Sequence, residues 1–229
     1  LELVLPVFNS NLRRDEELIW KTDKYFDWIL WLMVPLQYGL LIYFCSILSH
    51  HSLEQYEVIG LVSAMGIGCG VLGINVAHEL GHRNNFLEQT MAKMLLSSSL
   101  YWHFFIEHNK GHHKNVSTPH DPESSRLNEV LYLFWFRSIK DSFLSALKID
   151  RKQMLLALLI QAALTLFIFF IWGSLAGWGF LASAAIGIIL LESVNYIEHY
   201  GLSRKETSPG RYEKVLPVHS WNADNPLSR

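Results

Sequence analysis

The sequence predicts an all-α fold: a polytopic bundle of membrane helices with a histidine-rich region on one face. Three observations predict it. Four runs of about twenty residues are almost free of charge, long enough to cross a bilayer. The lysines and arginines all fall on one side of the resulting map. Histidines recur at four-residue spacing where the apolar runs end.

Composition agrees. Of 229 residues, 50% are hydrophobic and 13% aromatic, with eight tryptophans, which is too apolar for an average soluble domain. The formal charge of −2 offers no electrostatic footprint for a nucleic acid, so no nucleic-acid partner is expected. Cys45 and Cys69 lie in apolar runs without CxxC spacing. That argues against a disulfide framework, a zinc knuckle or a built-in rubredoxin or ferredoxin module. The opening "LELVLPVFNSNLRRDEELIW" lacks a basic leader and a small-residue cleavage site, so it does not read as a signal peptide. It reads as a chain entered in the middle. The ending "HSWNADNPLSR" shows no closing helix, and a fragment at both ends is expected: residues 1–229 as one partial membrane domain.

The elements follow in order. Residues 28–48 hold no charge over 21 positions, about 31 Å of helix at ~1.5 Å per residue. Pro35 inside them is tolerated in a membrane helix. Residues 58–77 are also uncharged and run directly into His78; Gly66, Gly68, Gly70 and Gly73 make that span thin, with a Gly66-x-x-x-Gly70 pair suited to close helix approach. Residues 153–172 and 177–197 form a pair joined through "GSLA". The shorter apolar stretch 94–106 reads as an interfacial or re-entrant helix within a cytoplasmic and interfacial region, 78–152. The loops 49–57 and 173–176 contain no Lys or Arg, whereas the N-terminal segment holds four, the central segment ten and the tail five, all nineteen in the chain. The positive-inside rule places that side in the cytoplasm, for a multi-pass protein of the inner (cell) membrane.

This layout gathers three histidine groups. "HELGHR" places His78 and His82 one turn apart at the end of the second span, where they can share a metal. "EHNKGHH" supplies His108, His112 and His113, and "NYIEHYG" supplies His199 at the end of the last span. The membrane brings all six to one depth. Asn75, His78 and His82 repeat the i, i+3, i+7 spacing of Glu192, Asn195 and His199, and metal-bound imidazoles need the far ring nitrogen held. Asn75, Glu192 and Asn195 are therefore candidate holding groups, as are Glu79, Glu107 and Glu198 beside the ligands. Each could equally make a helix-packing hydrogen bond. His50 and His51 read as solvent-facing, His120 and His219 as ordinary surface, and His103 as either site wall or interfacial core.

Taken alone, HExxH spells a zinc protease, with Glu79 as general base and an Asp from a later helix. That reading leaves His108, His112, His113 and His199 unexplained, and the last two spans contain no Asp. A histidine-rich transporter would place ligands near the midplane and show internal repeats, neither of which is present. Six histidines in H-x3-H and H-x3-HH spacing imply two metals, and imidazole suits iron as well as zinc.

The words "HELGHR", "FFIEHNKGHHKNVSTPHDPESSR", "NYIEHYGL" and "GRYEKVLPVHSWN" resemble the integral-membrane non-haem di-iron hydroxylases, and among them the alkane 1-monooxygenases, from about residue 15 to the end. The fatty-acid desaturases share the histidine boxes without these flanking words; the xylene monooxygenase branch shares more of them and stands as the alternative. The resemblance implies a desaturase/hydroxylase-like bundle in which His78, His82, His108, His112, His113 and His199 hold two non-haem irons. It implies that O2 and two electrons convert the terminal methyl of a medium- or long-chain n-alkane to a primary alcohol and water. No flavin, haem or iron–sulfur motif is visible, so electrons come from outside, in this family from rubredoxin served by rubredoxin reductase. The family carries a further H-x-x-H-H box and two earlier membrane helices that these residues do not show, and the stretch from Ala146 to Leu155 is short for a member. An incomplete metal site, inactive by itself, is the expectation for these 229 residues.

Overall fold

A computed structural model describes residues 24–50 and 52–221; the arginines at positions 13 and 14, His51 and everything after Trp221 lie outside the described residues. The uncharged runs become long helices. Helix α1 spans Lys24–His50. Helix α2, Gln55–Gly68, continues through a π-helical segment, Cys69–Asn75, into α3, Val76–Gly81, so that one rod carries the second apolar run down to the first histidines. Helix α4, Phe86–Ser98, starts on an Asn85 cap whose Oδ1 accepts from the Leu87 amide at 2.9 Å. A tight turn returns the chain as α5, His103–Glu107, a second π segment, His108–His112, and the short α6, His113–Asn115. The amphipathic α7, Leu131–Ile149, precedes α8, Arg151–His199.

Among the described residues, three helices are long and apolar enough to cross a membrane: Lys24–His50, Gln55–Gly81 and Arg151–His199. The sequence suggests a pair where the structure has one 49-residue element, and Gly173 reconciles the two. Its φ of 81° and ψ of −176° fall in a region that essentially only glycine occupies, and the chain folds back there. Met154 and Ala157 near the start of α8 share a cluster with Ile188 and Leu191 near its end, which a straight helix forbids. The limbs are residues 151–172 and 174–199.

Two apolar clusters hold the bundle. One joins Leu41, Phe44 and Leu48 of α1 to Met65 of α2 and to Ile168 and Phe180 of the α8 hairpin, beside its turn. The other, at the histidine end, joins Ile74, Ala77 and Leu80 to the α4–α5 turn through Leu95, Leu96 and Tyr101. Small residues let the rods touch. A Cβ on Gly187 would lie 2.8 Å from the Cys69 Cβ and 2.9 Å from the Gly70 amide nitrogen, so α8 meets the α2 rod backbone to backbone. The α4–α5 hairpin is inserted into the bundle rather than laid on it: Tyr38 of α1 donates to the Met94 carbonyl at 2.8 Å. One feature departs from all-α. Past α8, strands β1, Glu206–Ser208, and β2, Arg211–Tyr212, form an antiparallel hairpin, followed by a 3-10 turn at Pro217–His219.

Gly173 gives a direct test of the hairpin. A Cβ there meets nothing within 4 Å, so Gly173→Ala acts through backbone strain alone. The expected cost is about 1–3 kcal/mol, read as a lower thermal midpoint in detergent. An unchanged midpoint would mean that α8 does not need this break.

Candidate metal centre

The α2 rod ends in "HELGHR", and α-helical spacing stacks His78 and His82 with ring centroids 4.5 Å apart. Arg83 fixes this end. It pairs with Asp27 of α1, with Glu88 of α4 at 2.9 Å and with Glu79 at 3.5 Å.

The "EHNKGHH" stretch arrives on the hairpin's descending arm. Its π geometry matters because i→i+5 bonding widens the turn, so residues four and five positions apart both lie near the same face. His108 thus meets both later rings, with centroids 5.0 Å from His112 and 4.6 Å from His113. It also lies 4.4 Å from His78 and 5.2 Å from His82, while His113 lies 4.7 Å from His82. Ring nitrogens of His78, His82, His108 and His113 all fall within 4.8 Å of one another. A second group within the same limit joins His108 and His112 to Glu123. His199, at the end of α8, closes on His112 at 5.1 Å.

Behind the rings stands an acidic loop. His108 Nδ1 lies 3.2 Å from Glu123 Oε2, and His112 Nδ1 lies 3.0 Å from Asp121 Oδ2. Asp121, whose carboxyl is held low, only accepts, so His112 Nδ1 donates to it and Nε2 is the ring nitrogen left for a ligand. His199 has the same arrangement with a carbonyl, its Nδ1 donating to His219 O at 3.2 Å. His108 Nε2 is buried with no hydrogen-bond partner among the described residues. A buried, unpartnered ring nitrogen amid clustered imidazoles fits a metal ion.

The loop is itself held. Arg137 of α7 forks onto Glu129 at 2.6 and 2.8 Å and donates to the carbonyls of Pro122 at 3.1 Å and Ser124 at 3.0 Å. Ser124 and the Glu123 amide donate to Asp121. Ser125 donates to the Tyr196 carbonyl at 2.7 Å, which ties the loop to α8.

Electrostatics prepares the rings. Burial and neighbouring histidines hold His108 well below its ordinary pKa and depress His113; burial also lowers His82. These rings are neutral at pH 7 and ready to ligate. Burial would lower His112 as well, but Asp121 leaves it above its ordinary value, and the same contact keeps Asp121 low despite its own burial. Burial raises Glu107 and Glu123, and mutual proximity pushes Glu123 higher.

The other expected holding groups fall in different places. Glu192 is fully buried and accepts from Tyr101 Oη at 2.6 Å. Asn195 is buried, and its Nδ2 has no partner among the described residues. Glu107 is buried behind Gly111, where a Cβ would strike Glu107 Oε1, and accepts from Ser145 at 3.5 Å. Glu198 accepts from Ser220 at 2.6 Å and lies 4.0 Å from His199 Nε2. Asn75 is exposed and hydrogen-bonds to no ring among the described residues, because it ends the π segment, where side chains leave the α register. Glu79 is exposed and faces Arg83 rather than the rings. His219, read from the sequence as surface, is buried: its backbone carbonyl holds His199 and its Nε2 meets Glu213 at 3.4 Å. His120 is exposed, and His103 packs on Tyr101 and Phe143. Asp121 and Glu123 were missed. They sit in "PHDPESS", whose Asp-Pro-Glu reads as a turn, and the local sequence carries no signal for long-range pairing with the histidines.

Residues 55–229 match the family described as fatty acid desaturase. The chain is 37% identical over 224 residues to alkane 1-monooxygenase 1 of Alcanivorax borkumensis, covering 90% of this chain and 54% of that protein. It is 35% identical over 246 residues to the alkane 1-monooxygenase of Pseudomonas putida, covering 98% and 61%. It is also 28% identical over 215 residues to the xylene/toluene monooxygenase hydroxylase component of Pseudomonas putida, covering 86% and 56%. The chain thus spans a little over half the length of the curated relatives it matches.

Two outcomes are expected. Asp121→Asn weakens metal binding by about 10–100-fold, in the range for losing a group that orients a ligand, with helical content intact; unchanged affinity would show that His112 needs no such partner. For His103, burial pushes the pKa down to about 4. Below the unfolded value of about 6.5 the unfolded chain takes up a proton that the fold excludes. Wild type should therefore lose thermal stability relative to His103→Asn as pH falls from 6.5 towards 4, and parallel pH curves would contradict the buried neutral ring.

Proposed function

Since this chain belongs to the fatty acid desaturase family, we propose that it is the core of a membrane di-iron monooxygenase that hydroxylates the terminal methyl of medium- or long-chain n-alkanes. The observation that carries this reading is the convergence of His78, His82, His108, His112, His113 and His199 from three separate stretches of chain. The names of the relatives favour alkanes: alkane 1-monooxygenases match at higher identity than the xylene/toluene enzyme.

Iron, when bound, would supply the activation of O2 and the delivery of one oxygen atom to a C–H bond. The protein's part is positioning and exclusion. His78 and His82 offer ligands from the α2 rod, His108, His112 and His113 from the hairpin, and His199 from α8. Asp121, Glu123 and the His219 carbonyl fix His112, His108 and His199 from behind, so that these three rings need no rotamer search. Phe104 stacks on His108 with centroids 4.6 Å apart and meets His78 at 6.0 Å, lining this side of the cluster with hydrocarbon. An alkane offers no polar handle, so selectivity rests on apolar shape, which such walls supply. Electrons would come from rubredoxin and its reductase on the cytoplasmic side, a side supported by the one-sided distribution of Lys and Arg. The protease reading loses support, because it would leave "EHNKGHH" remote from His78.

Membranes containing the protein that carries this sequence, given rubredoxin, its reductase and 18O2, should convert n-octane to 1-octanol with one labelled atom, and His108→Ala should abolish this. Faster turnover of the methyl groups of xylene than of octane would favour the alternative; labelled product from the His108→Ala variant would sink the histidine site. Reporter fusions test the orientation. Fusions at Ser49 and Leu175 should report the periplasm and one at Asn115 the cytoplasm; a cytoplasmic Ser49 would separate the site from its electron donor.

A further inference from the structure

A buried polar contact lies deeper in the bundle, away from the histidines. The π segment Cys69–Asn75 ends three residues before His78. At its first residue, the Cys69 carbonyl accepts from Ser99 Oγ at 3.1 Å, although the two are thirty residues apart. Ser99 sits at the tip of the α4–α5 hairpin, fully buried, where Leu100 takes a φ of 54° to make the turn. The tip fits tightly: a Cβ on Gly73 would lie 2.3 Å from Ser99 Oγ. From the other side Gln37 of α1, also fully buried, reaches Cys69 Sγ with Nε2 at 3.8 Å, while its Oε1 has no partner among the described residues. Polar side chains in this apolar environment are costly unless they serve a purpose.

An outside donor on a helix carbonyl disturbs the regular ladder at that point. A π segment accommodates an extra residue within an otherwise α-helical rod. If Cys69–Asn75 relaxed to regular α-helix, everything below would turn by about 100° relative to the rod above, one residue's share of a 3.6-residue turn. Above it, the rod is pinned by backbone contact with Gly187. His78 and His82 would then swing off the cluster.

We propose that Ser99 is a positioning residue: its hydroxyl clamps the π segment and so sets the rotational phase at which His78 and His82 meet the rings of the hairpin and of His199. This rests on the metal reading above. The hairpin would then do two jobs, bringing three ligands itself and orienting two others through its tip.

The test uses Co(II) as probe, titrated into the metal-free chain in detergent, reading affinity and the visible spectrum of the bound ion. Ser99→Ala should bind about tenfold more weakly, the low end for loss of an orienting group, with an altered spectrum. Ser99→Thr, which keeps the hydroxyl, should restore both. Deleting Val71, exposed at 53% within the segment, removes the extra residue and returns a plain α-helix with both flanks in their native phase. In that background Ser99→Ala should cost nothing. Wild-type affinity and spectrum in Ser99→Ala would overturn the clamp, as would an equal loss in both backgrounds. If the deletion variant does not fold, Ser99→Thr decides, and a Thr variant as weak as Ala overturns it. Wild-type chain that binds no Co(II) removes the metal reading itself, and this inference with it.

Discussion

The hydrogen bond from a buried imidazole Nδ1 to a fixed acceptor is the interaction on which the rest of this structure depends. His108, His112 and His199 are buried, and a buried ring nitrogen is expensive unless it has a partner or a metal. Asp121 and Glu123 meet that need for His112 and His108, and the His219 carbonyl meets it for His199. Those acceptors need anchoring in turn. Arg137 anchors the acidic loop from α7, Ser125 ties it to α8, and Ser117 donates to the His219 carbonyl at 3.1 Å. Each layer outward from the rings holds the layer within.

The membrane makes this economical. The α2 rod and α8 are each long and apolar enough to cross a membrane and end at the histidine cluster, and the inserted α4–α5 hairpin brings the third group to them. The α2 rod and the second limb of α8 then fix lateral position, through the approach of Gly70 to Gly187. Hydrophobic length sets where the two rods end, small residues set lateral position, and the acidic loop orients His108 and His112. These determinants occupy different residues, so a substitution in one should leave the other two largely intact.

Much of this was legible in the sequence. Uncharged runs mark the helices because charge in hydrocarbon is costly, and H-x3-H spacing marks shared faces because the α-helix repeats every 3.6 residues. Residues 153–172 and 177–197, expected as two spans, fall on the two limbs of α8, and Gly173 is the break between the limbs. What escaped has one physical character: it depends on contacts distant in sequence. The π segments cannot be seen in "CGVLGIN" or "HNKGH", because a tertiary contact such as that of Ser99 on Cys69 shapes the local geometry. That shift is also why Asn75, placed by α spacing on the ligand face, is exposed. Asp121 and Glu123 read as turn residues, and His219 as surface, because their partners lie in other segments of the chain.

The central claim is that these imidazoles form a metal site whose ligands are nitrogen. The most direct measurement is iron K-edge X-ray absorption on chain loaded anaerobically with Fe(II). The account predicts a light-atom shell near about 2.0–2.1 Å, by analogy with zinc–histidine bonds, with the outer-shell scattering of rigid imidazole rings. His108→Ala should weaken that scattering. A shell of oxygen atoms without imidazole scattering, or a spectrum indifferent to His108, would contradict it.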